Sequence, residues 1–427
     1  MWYKRGNGMD TRISGGERRR ALMLSSLGGG LEFYDFVIYA VFADVIGQTF
    51  FPSGNAVANL LAAFTVFAIG YLARPFGGIV FSHFGDRFGR KNMLRISIAG
   101  MAGATILMGL MPGYAQIGIA ASILFVLLRI VQGLSLGGEI PGAMVLITET
   151  MPERRGLACG VLFLMINIGL LLAHVVQWAL VSTLDPAQIL SYGWRIGFLV
   201  GGAIAFLGFV MRAQLSESPA FAEMESDAHK VPLAMLLQNN MRGVIAGVFI
   251  TGMGAVIVSM FYLYFDTYVT TLLKYPHASV AAASIVGIII FSLPMPLAGW
   301  LADRTGRLRL PTFIGAGLLL VTCLPLYIWL GKGPGNVMAV MAILSILAAF
   351  AWGPTPAVLT AIFPTDVRFS GVAFTYNIGF AVIGGLTPLV STALIHWSGN
   401  MLWPAYILLV FLALGLVATA VVKLKGR

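Results

Sequence analysis

Uncharged stretches long enough to cross a bilayer recur along this chain, at 96–121 and 338–362 among others. Crossing hydrocarbon takes about 20 apolar residues in a helix. Lipid also requires every backbone group to bond inside the segment, which selects helices or closed barrels. Barrel strands would read as alternating segments of about ten residues. The runs here are continuous, with Gly and Ala mixed in, so helices are expected. Charged residues make up 10% of the chain, against about 25% in a soluble domain. That is too few to cover a water-exposed surface. The two cysteines, Cys159 and Cys323, are far apart and form no disulfide or metal pattern.

The pattern predicts an all-α polytopic membrane protein of about twelve transmembrane helices in two six-helix, pseudo-symmetric bundles. Six spans are expected at 22–48, 57–81, 93–111, 117–140, 157–181 and 194–211. Six more are expected at 243–268, 280–301, 310–330, 337–362, 372–395 and 402–422. The first holds Glu32, Asp35 and Asp44, and is too long and too charged for a cleavable signal peptide. With an even count and a cytoplasmic N-terminus, the inner loops collect Arg18, Arg19, Arg20, Arg87, Arg90, Lys91, Arg154, Arg155, Arg304, Arg307, Arg309 and Arg368. The outer loops hold almost no charge. This positive-inside asymmetry makes the net charge of +10 a topology signal, not a nucleic-acid signal. The expected organisation is therefore a cytoplasmic segment at 1–21, a bundle at 22–212, a cytoplasmic linker at 213–242, a second bundle at 243–422 and a cytoplasmic tail at 423–427. In the linker, Ser218-Pro219 reads as a helix start, and Val231-Pro232 opens a second short helix.

An internal repeat supports the division. Gly85-Asp86-Arg87-Phe88-Gly89-Arg90-Lys91 returns as Ala302-Asp303-Arg304-Thr305-Gly306-Arg307, with Asp86 and Asp303 217 positions apart. Pro152-Glu153-Arg154-Arg155-Gly156 returns around Pro364 to Gly371, with Arg155 and Arg368 213 apart. Parallel six-helix repeats belong to transporters with a central site between the halves. At these residues the chain resembles the major facilitator superfamily. The second copy, running from Gly299 through Asp303 to Arg307, fits that superfamily's loop motif in full; the first has Ser82 in place of the leading glycine. Within the superfamily the chain resembles the metabolite:proton symporters. That likeness is carried by Glu32 to Phe36, Ala73 to Gly78, Arg129 to Gly133, Gly137 to Glu139, Trp194 to Phe198, Glu217 to Phe221 and Tyr376 to Gly385. The resemblance implies import of carboxylates such as 2-oxoglutarate, citrate and shikimate, or of zwitterions such as proline and betaine.

Ionisable groups inside a membrane cost about 2.5–3.5 kcal/mol each on insertion scales and are functional candidates by default. Glu32 and Asp35, three apart, share a helix face with Tyr39. Two close carboxylates resist joint ionisation, which suits a proton carrier. The alternative is a structural pairing with Arg74 or Arg129. Arg129 and Gln132 share a face of span four, with Glu139 further along. Arg129 is placed either on a substrate carboxylate or on those acids. Proton coupling is therefore expected at Glu32, Asp35, Arg129 and Glu139. Substrate contact is expected at Tyr39, Arg74, Gln132, Asn167, His174, Asp266 and Asn377. Asn167, His174 and Gln177 form a polar stripe on span five. His174 is a possible second proton carrier, and Asp266 lies among aromatics as an outer gate or cation-binding wall. Asp86, Arg87, Arg90, Asp303, Arg304 and Arg307 are gating candidates. By the resemblance, the acids of this motif lock the halves together, Asp86 meeting the start of span eleven near Ser370. Prolines 141, 294, 296, 354, 356 and 388 mark expected bends.

The expected function is proton-coupled uptake of a small carboxylate-bearing metabolite by alternating access across a cell inner membrane. Alternatives are a proline/betaine-type zwitterion symporter, an exporter or uniporter, and a transporter-like membrane sensor. No enzyme motif, metal cluster or cofactor is expected, with the proton gradient as energy source. The expected partners are the small-molecule substrate, protons and the lipid bilayer, and no nucleic acid.

Overall fold

The computed structural model describes residues 30, 33–88, 90–135, 139–215, 233–365 and 367–425, without the side chains of 78–95, 97–98, 139, 207–215 and 233–235. Regular structure among these residues is helical throughout. Nine helical stretches are long and apolar enough to cross a bilayer. Phe33–Val41 and Ala43–Phe50 form a further span bent by 68°. The shorter apolar helices Ala99–Leu110, Ile119–Leu134 and Ile140–Thr150 supply spans three and four. Twelve spans in two six-helix bundles result.

Spans two and three are Ala56–Phe88 and Arg90–Leu110. Span four is longer than the sequence suggested. After Ile119–Leu134 a further helix, Glu139–Thr150, continues past the expected end at 140. Pro141 lies in this second helix, two residues after its first described residue. Spans five and six are Arg155–Thr183 and Trp194–Leu215. Span seven begins at Leu233, ten residues early, because the short helix expected after Pro232 runs into it across a break at Asn240 (φ −132°, ψ 22°).

Two of the expected proline bends are breaks in the helix, while Pro388 lies inside the helix Gly385–Ser398. Span eight divides into His277–Ser292 and Met295–Thr305 at Pro294, and span ten into Val337–Trp352 and Thr355–Ile362 at Pro354. Each proline removes one helical hydrogen bond and clashes with the preceding turn. Spans nine and twelve, Leu310–Leu330 and Trp403–Val421, are continuous. Span eleven joins Arg368–Ile378 to Gly385–Ser398 through a wide π turn, Gly379–Gly384.

Close helix contacts rest on glycine. A Cβ on Gly169 would fall 1.6 Å from the carbonyl oxygen of Gly30, so spans one and five touch backbone to backbone. Span one bends at Phe42. Beyond it a Cβ on Gly47 would fall 2.5 Å from the Asn59 carbonyl, where the outer part of span one packs over span two. The motif at the head of span six is structural. Arg195 donates to the carbonyls of Gly109 at 3.1 Å and Met111 at 2.6 Å, closing the end of span three. Trp194 is buried against Phe50 and Phe198.

The two bundles meet at both ends. At the end expected to be cytoplasmic, Asp303 of span eight accepts the backbone N–H of Gly156 at 2.9 Å and of Leu157 at 2.8 Å, the first turn of span five. Gly299 permits this approach, since its Cβ would fall 2.1 Å from the Gly156 oxygen. Arg368 of span eleven donates to Glu149 of span four at 2.7 Å. At the opposite end, Phe64 of span two packs edge-on against Tyr264 of span seven, with centroids 5.5 Å apart.

Candidate polar site between the bundles

Span one turns Asp35 inward, where it is 1% exposed. Its Oδ2 accepts from the hydroxyl of Thr105 on span three at 3.0 Å. The same hydroxyl accepts from Gln132 Nε2 at 2.9 Å, and the Gln132 carbonyl accepts from Arg129. Asp35 and Arg129 therefore do not pair directly. A four-member chain across spans one, three and four joins them. Asp35 Oδ1 and the Nε and Nη2 of Arg129 have no hydrogen-bond partner among the described residues.

Arg129 is fully buried. Its guanidinium carbon lies 4.3 Å from the ring centroid of Phe36, 4.4 Å from Tyr39 and 5.4 Å from Phe67. Ring faces are negative, so they partly replace the hydration the cation has lost. Room for it comes from Gly70 on span two, where a Cβ would fall 2.7 Å from Arg129 Nε. Arg74, one turn on, lies 5.1 Å from Phe36 and 5.3 Å from Tyr71. The Tyr39 hydroxyl is spent on the Ala63 carbonyl at 2.8 Å, which leaves its ring as the surface facing Arg129.

The polar stripe on span five faces other helices. Asn167 Nδ2 lies 3.6 Å from the sulfur of Met295 on span eight, and Gln177 reaches the Val41 carbonyl at 3.4 Å. His174 faces span seven, with Nε2 3.9 Å from Oδ2 of Asp266. Asp266 stands between two π turns, Ser259–Leu263 and Tyr268–Leu272, and accepts a hydrogen bond from Ser284 of span eight. Wide turns of this kind re-aim side chains and often mark functional positions. Asn377 donates to the Ala373 carbonyl of its own helix at 3.0 Å. Around it runs an aromatic wall: Tyr376 stacks on Phe380 at 4.5 Å, Phe380 lies 6.0 Å from Trp352, and Trp352 lies 5.6 Å from Phe163 across the bundle boundary.

The structure thus gathers Asp35, Arg129, Gln132, Tyr39 and Arg74 in one cluster, and His174 with Asp266 in another. Glu32 lies outside the described residues, as do the side chains of Glu139, Asp86, Arg87 and Arg90. Arg304 rests 5.0 Å from the Trp300 ring, and Arg307 is exposed beside Gly306, whose left-handed φ of 64° ends span eight. Three participants went unread in the sequence: Thr105, Ser284 and Glu149. A hydroxyl in an apolar helix usually bonds its own preceding turn and gives no signal of a longer reach. Glu149 lay beyond the expected end of span four.

Comparison with known proteins agrees with this architecture. The model of the Major Facilitator Superfamily matches residues 25–376. The inner membrane metabolite transport protein YhjE of Escherichia coli K12 is 35% identical over 383 residues, covering 88% of this chain and 87% of that protein. The proline/betaine transporter of the same strain is 31% identical over 426 residues, 97% and 85% of the two chains. The citrate-proton symporter of Salmonella typhi is 32% identical over 410 residues, 95% and 94%. In fold, the chain resembles a partially occluded inward-open structure of the xylose transporter XylE from E. coli. The TM-score is 0.69 at 18% identity, over 95% of this chain and 97% of that one.

Proposed function

The chain belongs to the major facilitator superfamily, and from that premise we propose that it couples proton entry to uptake of a small carboxylate-bearing metabolite across the cell inner membrane. The bundles at 22–212 and 243–422 rock about a central site, with 213–242 as the cytoplasmic linker and both termini cytoplasmic. The observation that carries the coupling is the buried chain from Asp35 through Thr105 and Gln132 to Arg129. A proton on Asp35 removes the negative end of that chain and changes what Arg129 sees. Arg129 and Arg74 are the buried cations of the described spans, and a substrate carboxylate is the chemistry both would accept. Carboxylate is also what citrate and proline/betaine, named for two of the relatives, have in common. Glu32 and Glu139 join the proton site in this reading, and Asp303 and Glu149 hold its inner gate.

A zwitterionic substrate is the second reading, and one observation favours it. Among the described residues of the last six spans, Asp266 is the buried carboxylate, with no buried Lys or Arg beside it. A tricarboxylate would find few cations here. A molecule with one carboxylate and one ammonium group would meet Arg74 or Arg129 on one side and an acid with an aromatic wall on the other.

The test is uptake into liposomes under an imposed inward proton gradient, with labelled citrate, 2-oxoglutarate, shikimate, proline and betaine, and with Asp35→Asn in parallel. Accumulation of one solute that needs the gradient and disappears in Asp35→Asn supports the proposal. Equilibration of a solute without any response to the gradient would refute coupling.

A further inference from the structure

The pair His174 and Asp266 has a feature the uptake mechanism does not use. Both side chains are buried, they come from different bundles, and each presents an unpartnered atom to the other. His174 Nδ1 lies 3.1 Å from the Leu170 carbonyl oxygen. A carbonyl oxygen only accepts, so Nδ1 carries a hydrogen. In the neutral ring that leaves Nε2 with a bare lone pair, and Nε2 faces Asp266 Oδ2 at 3.9 Å. Neither atom has a hydrogen-bond partner among the described residues. The other oxygen, Oδ1, is held by the Ser284 hydroxyl.

Without an added proton, the facing atoms are a lone pair and a carboxylate oxygen, buried and uncompensated, which is costly. With one proton on Nε2 or Oδ2, they become an ion pair or a neutral donor and acceptor, and the approach is favourable. Among the described residues, Asp266 is the charged group that acts on His174. Ser284 from span eight, Thr270 from the turn after Asp266, the Leu170 carbonyl from span five, and Gln177 reaching the span-one Val41 carbonyl are the other polar groups, and none of these titrates near neutrality. Nearer that end of the molecule, Asp44 of span one and His277 of span eight act on one another across the bundles.

We propose that His174 and Asp266 form a proton-dependent clasp that closes the bundles together at the end opposite Asp303. This rests on reading the chain as a two-bundle transporter, and it adds a protonation event separate from Asp35. Closure of that end takes up one proton at the pair, and opening releases it.

The experiment places spin labels on Thr183→Cys and Ala278→Cys, exposed positions at that end of spans five and eight, in a His277→Asn background that removes the titratable partner of Asp44. The native cysteines, both buried, are replaced by alanine so that only the two introduced thiols are labelled. The distance distribution in lipid nanodiscs is measured from about pH 8 to about pH 4.5, which covers the ordinary histidine range and the region below it. One proton bound only in the closed form raises the closed-to-open ratio by at most about tenfold per pH unit. A several-fold rise in the short-distance population is expected for the unsubstituted pair. In His174→Gln the side-chain amide donates to Asp266 at every pH, so the short distance stays and the pH response vanishes. Asp266→Asn, as a second variant, loses the response as well. A response that survives in His174→Gln, or none in the unsubstituted pair, overturns the clasp. Gradient-driven uptake in liposomes is read separately: its absence would remove the symport reading and leave the distance result standing.

Discussion

Asp303 and Gly156 meet across the two bundles, the carboxylate of the first accepting the backbone amide of the second in the first turn of span five. Leu157 adds a second amide to the same carboxylate at 2.8 Å. Helix N-termini carry unpaired N–H groups and partial positive charge, so an ionised carboxylate is the favoured cap. Asp303→Ala leaves those amides open and removes about 1.5–3 kcal/mol of attraction between the bundles. Cys159, one turn along the same helix, is fully buried. We expect its labelling by a small membrane-permeant maleimide to rise by about ten- to a hundred-fold in Asp303→Ala, as that free energy implies. Unchanged labelling would mean that this contact does not hold the interface.

Glu149 and Arg368 form the second link at that end, and a weaker effect is expected. The Glu149 side chain is 42% exposed. Exposed pairs contribute about 0.2–1 kcal/mol, screened by salt. Glu149→Gln should raise Cys159 labelling by no more than about fivefold, with a smaller rise at high salt. An effect equal to that of Asp303→Ala would contradict this ranking.

Much of the architecture was legible before the structure. Apolar runs set the helices because lipid leaves the backbone no other partner. The repeated aspartate motif marked a contact between the bundles, and Asp303 sits on the start of span five as the symmetric counterpart of the contact expected for Asp86. What escaped was the reach of side chains between helices. Span four was expected to end at 140, whereas helix continues to Thr150 and carries Glu149 to the bundle boundary. A direct pairing of Asp35 with Arg74 or Arg129 was the alternative to a proton carrier, and the structure shows neither a direct Asp35–Arg129 bond nor an isolated acid. Nothing in the sequence said that a threonine and a glutamine stand between them, since either could have served its own helix. His174 and Asp266 were both marked, but their meeting depends on how the bundles dock, which no local pattern encodes.

Gly70 and Gly133 separate a functional from a structural glycine. A Cβ on Gly70 meets the Arg129 side chain at 2.7 Å, whereas one on Gly133 meets the Gly70 carbonyl oxygen at 2.1 Å. A side chain can move aside and backbone cannot, so Gly133→Ala should lower thermal stability by about 1–3 kcal/mol or more. Gly70→Ala should fold, displace Arg129 and cut gradient-driven uptake. Thermal unfolding in detergent and liposome uptake, measured on both variants, check the contrast. Equal loss of stability in the two would defeat it.

Arg195 closes the end of span three through the carbonyls of Gly109 and Met111 and lies 4.5 Å from the Trp194 ring. Arg195→Ala should destabilise by about 1.5–3 kcal/mol, the range for bonds to a charged donor. The remaining folded protein should keep its apparent substrate KM. A changed KM with unchanged melting would move Arg195 from the frame into the binding site.

Thr105 is the test of the coupling chain itself. Its hydroxyl has one proton and two acceptors at 3.0 Å, Asp35 Oδ2 and the Met101 carbonyl. When Asp35 is ionised, the carboxylate is the stronger acceptor and takes that proton. When Asp35 is protonated, it can donate to Thr105 instead, and the hydroxyl turns to Met101. Gln132 donates to the same oxygen and holds Arg129, so the change is passed to the guanidinium. Thr105→Val keeps the shape and removes both roles of the hydroxyl, leaving a buried carboxylate oxygen and a buried amide without partners. A loss of about 1–3 kcal/mol per unsatisfied group predicts at least a tenfold drop in gradient-driven accumulation. Thr105→Ser restores the hydroxyl and should recover most of it. Counterflow of substrate without a gradient should fall far less than accumulation in Thr105→Val, because exchange needs binding but no net proton transfer. Accumulation that survives Thr105→Val intact would show that Asp35 and Arg129 communicate by another route.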